Sequence, residues 1–211
     1  MNILQPISLP PARERVASEI RKAIFSKQIK KGEILSLEGT AKQLNISITP
    51  VREAFQILAR AGLIELRPNK GAIVLGITEQ YIKEHYQLRG ILESAAVSII
   101  CQTKADTTKI ENVFNNAKKD IEEKNYHKYA DYNQSFHFEI WKAAKNQRML
   151  TLLSELWNGL SIGSIMSVED YAANSFKEHE TILKAILKYD EKKAVTAMKH
   201  HIERSMEDIL S

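Results

Sequence analysis

The sequence has 211 residues, 44% hydrophobic and 27% charged, which is enough for one large domain or two modest ones. With only 8 Gly, 5 Pro and one cysteine, the composition argues against a loop-rich sandwich, a disordered chain and a disulfide-bonded scaffold. Because no long apolar run and no signal-peptide pattern is present, we expect a cytoplasmic protein that does not cross a membrane.

Charge is unevenly divided along the chain. Residues 1–77 hold 12 Lys and Arg against 6 Asp and Glu, whereas residues 78–211 hold 18 against 20. The first third therefore carries a net charge of +6 and the remainder −2, as expected if only the N-terminal part meets a polyanion such as DNA. All six histidines lie at position 85 or later, in the acidic part.

Three helices and a hairpin are predicted in the first third of the chain. Apolar residues recur at three- and four-residue spacing over 11–27, and shorter helical patterns follow over 37–44 and 49–61. Apolar runs over 63–66 and 72–75, separated by turn-forming residues, predict two strands. Three helices followed by a small hairpin form a winged helix-turn-helix, whose third helix enters the major groove of DNA and whose hairpin is the wing.

The rest of the chain is predicted to be entirely helical. The six helices span about 78–104, 106–124, 126–144, 147–167, 175–189 and 190–210. Their short connections favour an antiparallel bundle. We therefore expect a mostly α protein with two domains, a winged helix-turn-helix DNA-binding domain over 1–77 and an all-helical bundle over 78–211.

Three motifs in the DNA-binding part follow one another closely: SITPVREAF at 47–55, LARAGLI at 58–64 and PNKGA at 68–72. In order and spacing they resemble the GntR family of bacterial transcription regulators. The helical part is similar to FCD, the effector domain of the FadR branch of that family, and its six helices place it nearer the VanR-like subgroup. Four segments carry this second resemblance: LRGILE at 88–93, NQSFH at 133–137, EHETILKAI at 178–186 and AMKHHI at 197–202.

The resemblance implies a homodimeric, ligand-responsive transcription regulator without enzymatic activity. Residues 78–211 would then be its effector-binding and dimerisation domain, and residues 76–78 its hinge. Its partners would be a roughly palindromic double-stranded DNA operator and a small-molecule effector. Ligand binding would alter DNA affinity by favouring one arrangement of the two DNA-binding domains over another.

Five residues are predicted to contact DNA: Ser47, Thr49, Arg52, Lys70 and Gly71. Arg52, on the exposed face of the third helix, can grip a phosphate or a guanine edge, while Ser47 and Thr49 can bond phosphates at the helix start. Lys70 and Gly71, at the wing tip, suit approach to the minor groove or the DNA backbone. That Ser47 and Thr49 are only helix caps stays an open alternative.

Two positions depart from the family pattern. Ile48 stands where the family usually has arginine, and Glu38 stands where many members have a basic contact residue. Loss of one bidentate base contact removes roughly 1–3 kcal/mol of discrimination between bases. Two interpretations follow: either the operator differs from the family's usual one, or a thymine methyl group contacts Ile48.

The NQSFH motif places Asn133 and His137 four residues apart on one helix face, beside apolar neighbours. In the resembling domain an Asp or Asn and three histidines converge on a divalent metal ion, and the matching residues are Asn133, His137, His179 and His201. Neutral imidazoles suit zinc or nickel. Because an amide is a poorer ligand than a carboxylate, we expect weaker binding than with Asp at position 133. A polar hydrogen-bonded group in the core is the alternative.

Arg89 matches a family arginine near the effector cavity, and together with a metal ion it offers the charge that a small carboxylate needs. A salt bridge to Glu93, four residues on, is an equal alternative. The remaining histidines are expected to face solvent: His85, His127 and His200.

Two other functions are weighed beside this one. The first is a metal-responsive regulator, in which the ion itself is the signal. A metalloenzyme with a DNA-binding domain would need Glu139 or Glu178 as a general base, and helical phase directs neither convincingly toward the histidines.

Overall fold

The computed structural model describes residues 11–26, 28–68, 71–157 and 168–210. The chain divides into two compact units between Thr78 and Glu79. The elements of the first unit are α1 (Ala12–Phe25), β1 (Ile34–Leu35), α2 (Leu37–Gln43), α3 (Ile48–Arg60), β2 (Ile64–Arg67) and β3 (Gly71–Val74). This is the winged helix-turn-helix that the sequence predicts, with one strand more.

Helix α3 buries one stripe of side chains and exposes the opposite one. Its buried residues recur at three- and four-residue spacing and are Val51, Ala54, Phe55 and Leu58. They lie in the core of the first unit, where α3 packs against α1. The helix ends where Gly62, at φ +71°, takes the left-handed conformation that follows many helices. Burial of this stripe fixes which side of α3 faces outward.

The sheet has three antiparallel strands in the order β1-β3-β2, so β3 is the central strand. Ile34 pairs with Ile73 on one side of β3, and Glu65 pairs with Ile73 on the other. The two-stranded prediction missed β1, because a strand of two residues is too short to show alternation of apolar and polar residues. The wing is thereby attached to the segment between α1 and α2.

The second unit contains six α-helices within the described residues, as the sequence predicts in number. They are α4 (Glu79–Thr103), α5 (Thr108–Glu122), α6 (Tyr129–Ala143), α7 (Gln147–Leu156), α8 (Val168–Leu187) and α9 (Glu191–Leu210), with a short 3₁₀ helix at Tyr126–Lys128. Asn146 caps α7 by accepting from the Met149 amide, and Asp190 caps α9 by accepting from the Lys193 amide. The predicted helix over 147–167 is described only to Leu156, and its remainder over 158–167 lies outside the described residues.

Helix α8 starts at Val168, seven residues before the predicted start at 175. Helix α4 packs mainly against α9, and α6 packs against α4, α5, α7 and α8.

The prediction that His85 faces solvent is wrong: the residue is 8% exposed and its ring lies between those of Tyr81 and Tyr86. His200 is exposed, whereas the side chain of His127 lies outside what the structure describes. Among the described helices, none is both long and apolar enough to cross a membrane.

Candidate functional site

Three histidines from three helices meet in the core of the second unit. His137 of α6, His179 of α8 and His201 of α9, called the histidine cluster below, are 0%, 3% and 2% exposed. The Nε2 atom of His137 lies 3.1 Å from that of His201 and 3.3 Å from that of His179. One ligand atom from each ring lies within 4.8 Å of the others. All three helices therefore direct the same ring atom toward one point.

Carboxylates contact two of these rings at Nδ1, on the side away from the converging Nε2 atoms. Glu93 of α4 lies 2.5 Å from Nδ1 of His137, and Glu178 of α8 lies 2.6 Å from Nδ1 of His201. Since a carboxylate can only accept, we infer that both Nδ1 atoms carry the proton and that both Nε2 atoms present lone pairs. The third ring has Tyr129, whose hydroxyl lies 3.5 Å from Nδ1 of His179. Outer partners of this kind orient metal-binding histidines.

Burial disfavours the charged form of two of the three rings, those of His179 and His201. Burial lowers the pKa of His201 to about 4, although the neighbouring Glu178 acts in the opposite direction. Burial, together with the other two histidines, lowers the pKa of His179 well below its usual value. The Nε2 atoms of these two rings therefore bind protons weakly. The neutral ring that results is the form that binds metal ions.

Asn133 adds an oxygen atom that lacks a partner. Its side chain is 3% exposed, its Nδ2 donates to the Tyr171 hydroxyl at 3.1 Å, and its Oδ1 has no hydrogen-bond partner. A buried acceptor left unsatisfied costs about 1–3 kcal/mol. Asn133 lines the same cavity as His137 and His201. The four residues predicted as ligands thus comprise three converging nitrogens and one unsatisfied buried oxygen.

Glu93 is the most completely enclosed charged group at this site. It is 0% exposed and accepts from Arg89 at 2.9 Å and from the Trp141 indole at 3.2 Å, in addition to its contact with His137. Burial alone would raise its pKa, but His137 and Arg89 outweigh burial and the pKa is lowered. Glu93 therefore links α4 to α6 as a buried carboxylate.

Arg89 forms the salt bridge with Glu93 that was one of its two predicted roles, at 2.8 Å. It also lines the cavity, where its guanidinium lies 4.5 Å from the centre of the Trp157 ring and 5.3 Å from that of Tyr86. Contact with an effector stays a prediction. The cavity measures about 10 Å³, roughly the space of one water molecule. An organic ligand thus requires movement of side chains such as Trp157.

A second charged group lies behind His201. Glu178 accepts from Arg204 at 2.5 Å, and Arg204 also pairs with Asp208, which lines the cavity. Burial would raise the pKa of Glu178, yet His201 and Arg204 lower it. Glu178 occupies the Nδ1 side of His201, away from the converging Nε2 atoms, so it is not placed as a general base at the histidine cluster.

Sequence reasoning missed the residues that orient the histidines. Glu178 was weighed only as a general base, and Glu93 only as a partner of Arg89. Their contacts join residues 23 and 44 positions apart, and Tyr129 lies 50 positions from His179. Helical phase in a single sequence reports which residues share a face, and carries no signal for contacts at such separations.

In the first unit, the start of α3 exposes three of the five residues predicted to contact DNA. Ser47 is the N-cap residue, yet its side chain makes no capping hydrogen bond and is exposed, as are those of Thr49 and Arg52. Lys70 lies outside the described residues. Gly71 has φ +88°, and a Cβ there would lie 2.0 Å from the Leu35 carbonyl oxygen. Close packing against β1 is thus sufficient reason for glycine at position 71.

Comparisons with known proteins assign both units. The family model described as "Bacterial regulatory proteins, gntR family" matches residues 12–74, and that described as "FCD domain" matches residues 84–204. The gluconate operon transcriptional repressor of Bacillus licheniformis is 28% identical over 187 residues, which are 86% of this chain and 76% of that protein. A protein of Paenarthrobacter nicotinovorans, "Probable D-xylose utilization operon transcriptional repressor", is 28% identical over 201 residues, 90% of this chain and 87% of its own.

Among solved structures, "E. coli McbR/YncC" has the same fold, with a TM-score of 0.73, 16% identity, and coverage of 96% of this chain and 98% of that chain.

Proposed function

The chain belongs to the GntR family of bacterial regulatory proteins and carries an FCD domain, which makes it a DNA-binding transcriptional regulator, and we propose that a small carboxylate bound beside a metal ion controls it. The converging Nε2 atoms of the histidine cluster carry this proposal. Lone pairs aimed at one point repel one another unless a cation lies between them.

The donors at the site fit a divalent ion such as zinc or nickel. Three neutral imidazoles are ligands that both metals accept, and Asn133 Oδ1 supplies an oxygen that lacks any other partner. A bound ion would supply positive charge and a place for a ligand oxygen. Glu93 and Glu178 would keep two rings in the metal-binding tautomer.

Charge supports an anionic effector. Three carboxylates, Glu93, Glu178 and Asp208, surround the site with two guanidinium groups, Arg89 and Arg204, giving a net formal charge of −1. A divalent ion would change this sum to +1, because Asn133 adds no charge. A monocarboxylate would then bring this sum to zero, and Arg89 could donate to it. The relative from Bacillus licheniformis is named for the gluconate operon, and gluconate is a carboxylate.

A neutral sugar is the competing candidate for the effector, because the relative from Paenarthrobacter nicotinovorans is named for D-xylose utilization. A neutral sugar would leave the positive sum uncompensated, so the charges favour the acid. A second candidate function is a regulator for which the ion is itself the signal. DNA affinity that changes on metal titration, with no organic ligand present, would favour that function.

We infer that the regulator is a homodimer on a roughly palindromic operator, because a two-fold dimer matches a two-fold DNA site. Within the described residues, α4 exposes two large apolar side chains, Leu88 at 51% and Ile91 at 60%. Ile91 borders a groove of about 620 Å³ between α4 and α9 whose lining includes Lys83, Lys199 and Glu203. Both signs of charge on one surface suit contact with a second copy of the same surface.

Elemental analysis of protein purified without chelator or nickel resin tests the metal site. We expect about one divalent ion per chain in the wild type and its loss in His137→Ala, because three protein nitrogens hold the ion. His200→Ala is the matched control, since His200 neighbours His201 in sequence but is exposed. Absence of metal from the wild type, or equal loss in both variants, would contradict the proposed site.

A further inference from the structure

The exposed face of α3 carries a side chain with no polar group at the position where such a helix meets DNA bases. Ile48, the first residue of α3, is 37% exposed. Arg52, four residues on, and Gln56, four further, are also exposed, whereas the buried stripe of α3 faces the core. Side chains four apart lie on the same face of a helix. Ile48 therefore shares the outward face with the arginine predicted to contact DNA.

We propose that Ile48 reads the C5-methyl group of a thymine in the major groove of the operator. In a helix-turn-helix the N-terminal residues of the recognition helix contact base edges, and Ile48 occupies that end of α3. An isoleucine can neither donate nor accept a hydrogen bond, so the only group it can recognise on a base edge is apolar. The thymine methyl is the one apolar group that DNA presents in the major groove.

The neighbouring side chains support this assignment. Ser47 and Thr49 flank Ile48, are exposed, and carry hydroxyls suited to phosphate oxygens. Arg52 can take a guanine edge one helical turn further along. Phosphate contacts that position the helix, an arginine that reads guanine and an isoleucine that reads thymine together define one half-site. The inference rests on the DNA-binding function and is independent of any metal or effector.

In the first experiment, the full-length protein selects the DNA duplexes that it binds from a random library. The selected sequences define its operator. We expect each half-site to contain a required thymine beside a guanine. Replacing that thymine by deoxyuridine removes only the methyl group and should weaken binding about fourfold, the burial free energy of one methylene-sized group expressed as a ratio of dissociation constants. 5-Methylcytosine at that position should bind more tightly than cytosine.

Two variants assign the effect to Ile48. Ile48→Ala should bind the thymine and deoxyuridine duplexes with nearly equal affinity. Ile34→Ala, the same change at a more exposed isoleucine of β1, should keep the wild-type difference. A selected site without a required thymine would overturn the proposal, as would equal wild-type affinity for the two duplexes or an undiminished difference in Ile48→Ala. Failure to select any sequence would overturn operator binding as well, which separates the two failures.

Discussion

At the scale of single residues, the histidine cluster shows how far each functional side chain depends on partners elsewhere in the chain. The resemblance of NQSFH and its companion segments identified the candidate ligands, and their apolar neighbours predicted that the rings face the core. Neither indicates that Glu93 reaches across from α4 to His137. That contact depends on how α4 packs against α6, which is a property of the tertiary structure.

Asn133→Asp is the sharpest single-residue test of the proposed site. A carboxylate in place of the amide should raise the affinity for Zn²⁺ by about tenfold or more, because an anion is the stronger ligand. With the divalent ion bound, the same change would lower the summed charge of the site from +1 to zero, so the affinity for gluconate should fall. Competition with a chelator measures the first effect, and calorimetric titration of the metal-loaded protein with gluconate measures the second.

Gln134→Glu is the control for this pair of measurements, since it makes the same charge change at the next position of α6, where the side chain is exposed. It should leave both affinities near their wild-type values. If Asn133→Asp were equally silent toward the chelator, Asn133 Oδ1 would not be a ligand. Equal affinity for gluconate and for D-xylose in the wild type would remove the charge argument.

At the scale of secondary structure, periodicity located α3 closely but missed the first turns of α8 and the whole of β1. The apolar stripe of α3 is regular over its whole length, and the predicted helix over 49–61 differs from the observed Ile48–Arg60 by one residue at each end. β1 is two residues long and is held by pairing with β3, which no local pattern reports. His85, which was predicted to face solvent, is buried and its ring lies against those of Tyr81 and Tyr86.

The close approach of β1 to β3 predicts a difference between two glycines. Gly62 and Gly71 both have positive φ, but a Cβ at Gly62 would meet nothing within 4 Å, whereas one at Gly71 would collide with the backbone of Leu35. Gly62→Ala should therefore show only the conformational cost of about 1–2 kcal/mol. Gly71→Ala should destabilise the sheet by more, because the β1–β3 pairing has to separate.

Hydrogen exchange of the full-length protein distinguishes the two changes. Amides in β1 and β3 should exchange faster in Gly71→Ala than in Gly62→Ala. Equal exchange in the two variants would show that the sheet accommodates the added methyl group, and the structural reason for glycine at position 71 would fail.

At the scale of the whole molecule, basic and acidic character separate along the chain in the same way as the folded units. The basic residues 1–77 correspond to the winged helix, and the slightly acidic remainder corresponds to the helical bundle. Charge thus predicted which part meets DNA before any motif was considered. Assembly is harder to predict, because exposed apolar residues in one sequence cannot be told apart from buried ones until the helices are packed.

The proposed dimer predicts a mass of twice the 24.0 kDa chain in sedimentation equilibrium. Ile91→Glu should shift the protein toward the monomer, since it places a charge in the groove between α4 and α9. Leu152→Glu is the matched control, because Leu152 is 50% exposed on α7 and does not line that groove. A dimer undisturbed by Ile91→Glu would place the interface elsewhere.

The aromatic rings beside Arg89 give the second unit an intrinsic fluorescent probe. The chain has two tryptophans, Trp141 and Trp157, and their ring centres lie 5.5 Å apart. Both contact His137, with Trp157 at 5.0 Å between ring centres, while the winged-helix unit contains no tryptophan. Tryptophan fluorescence therefore originates beside the histidine cluster alone. Any molecule that enters the cavity must disturb this emission, so the site can be titrated without a label and without DNA.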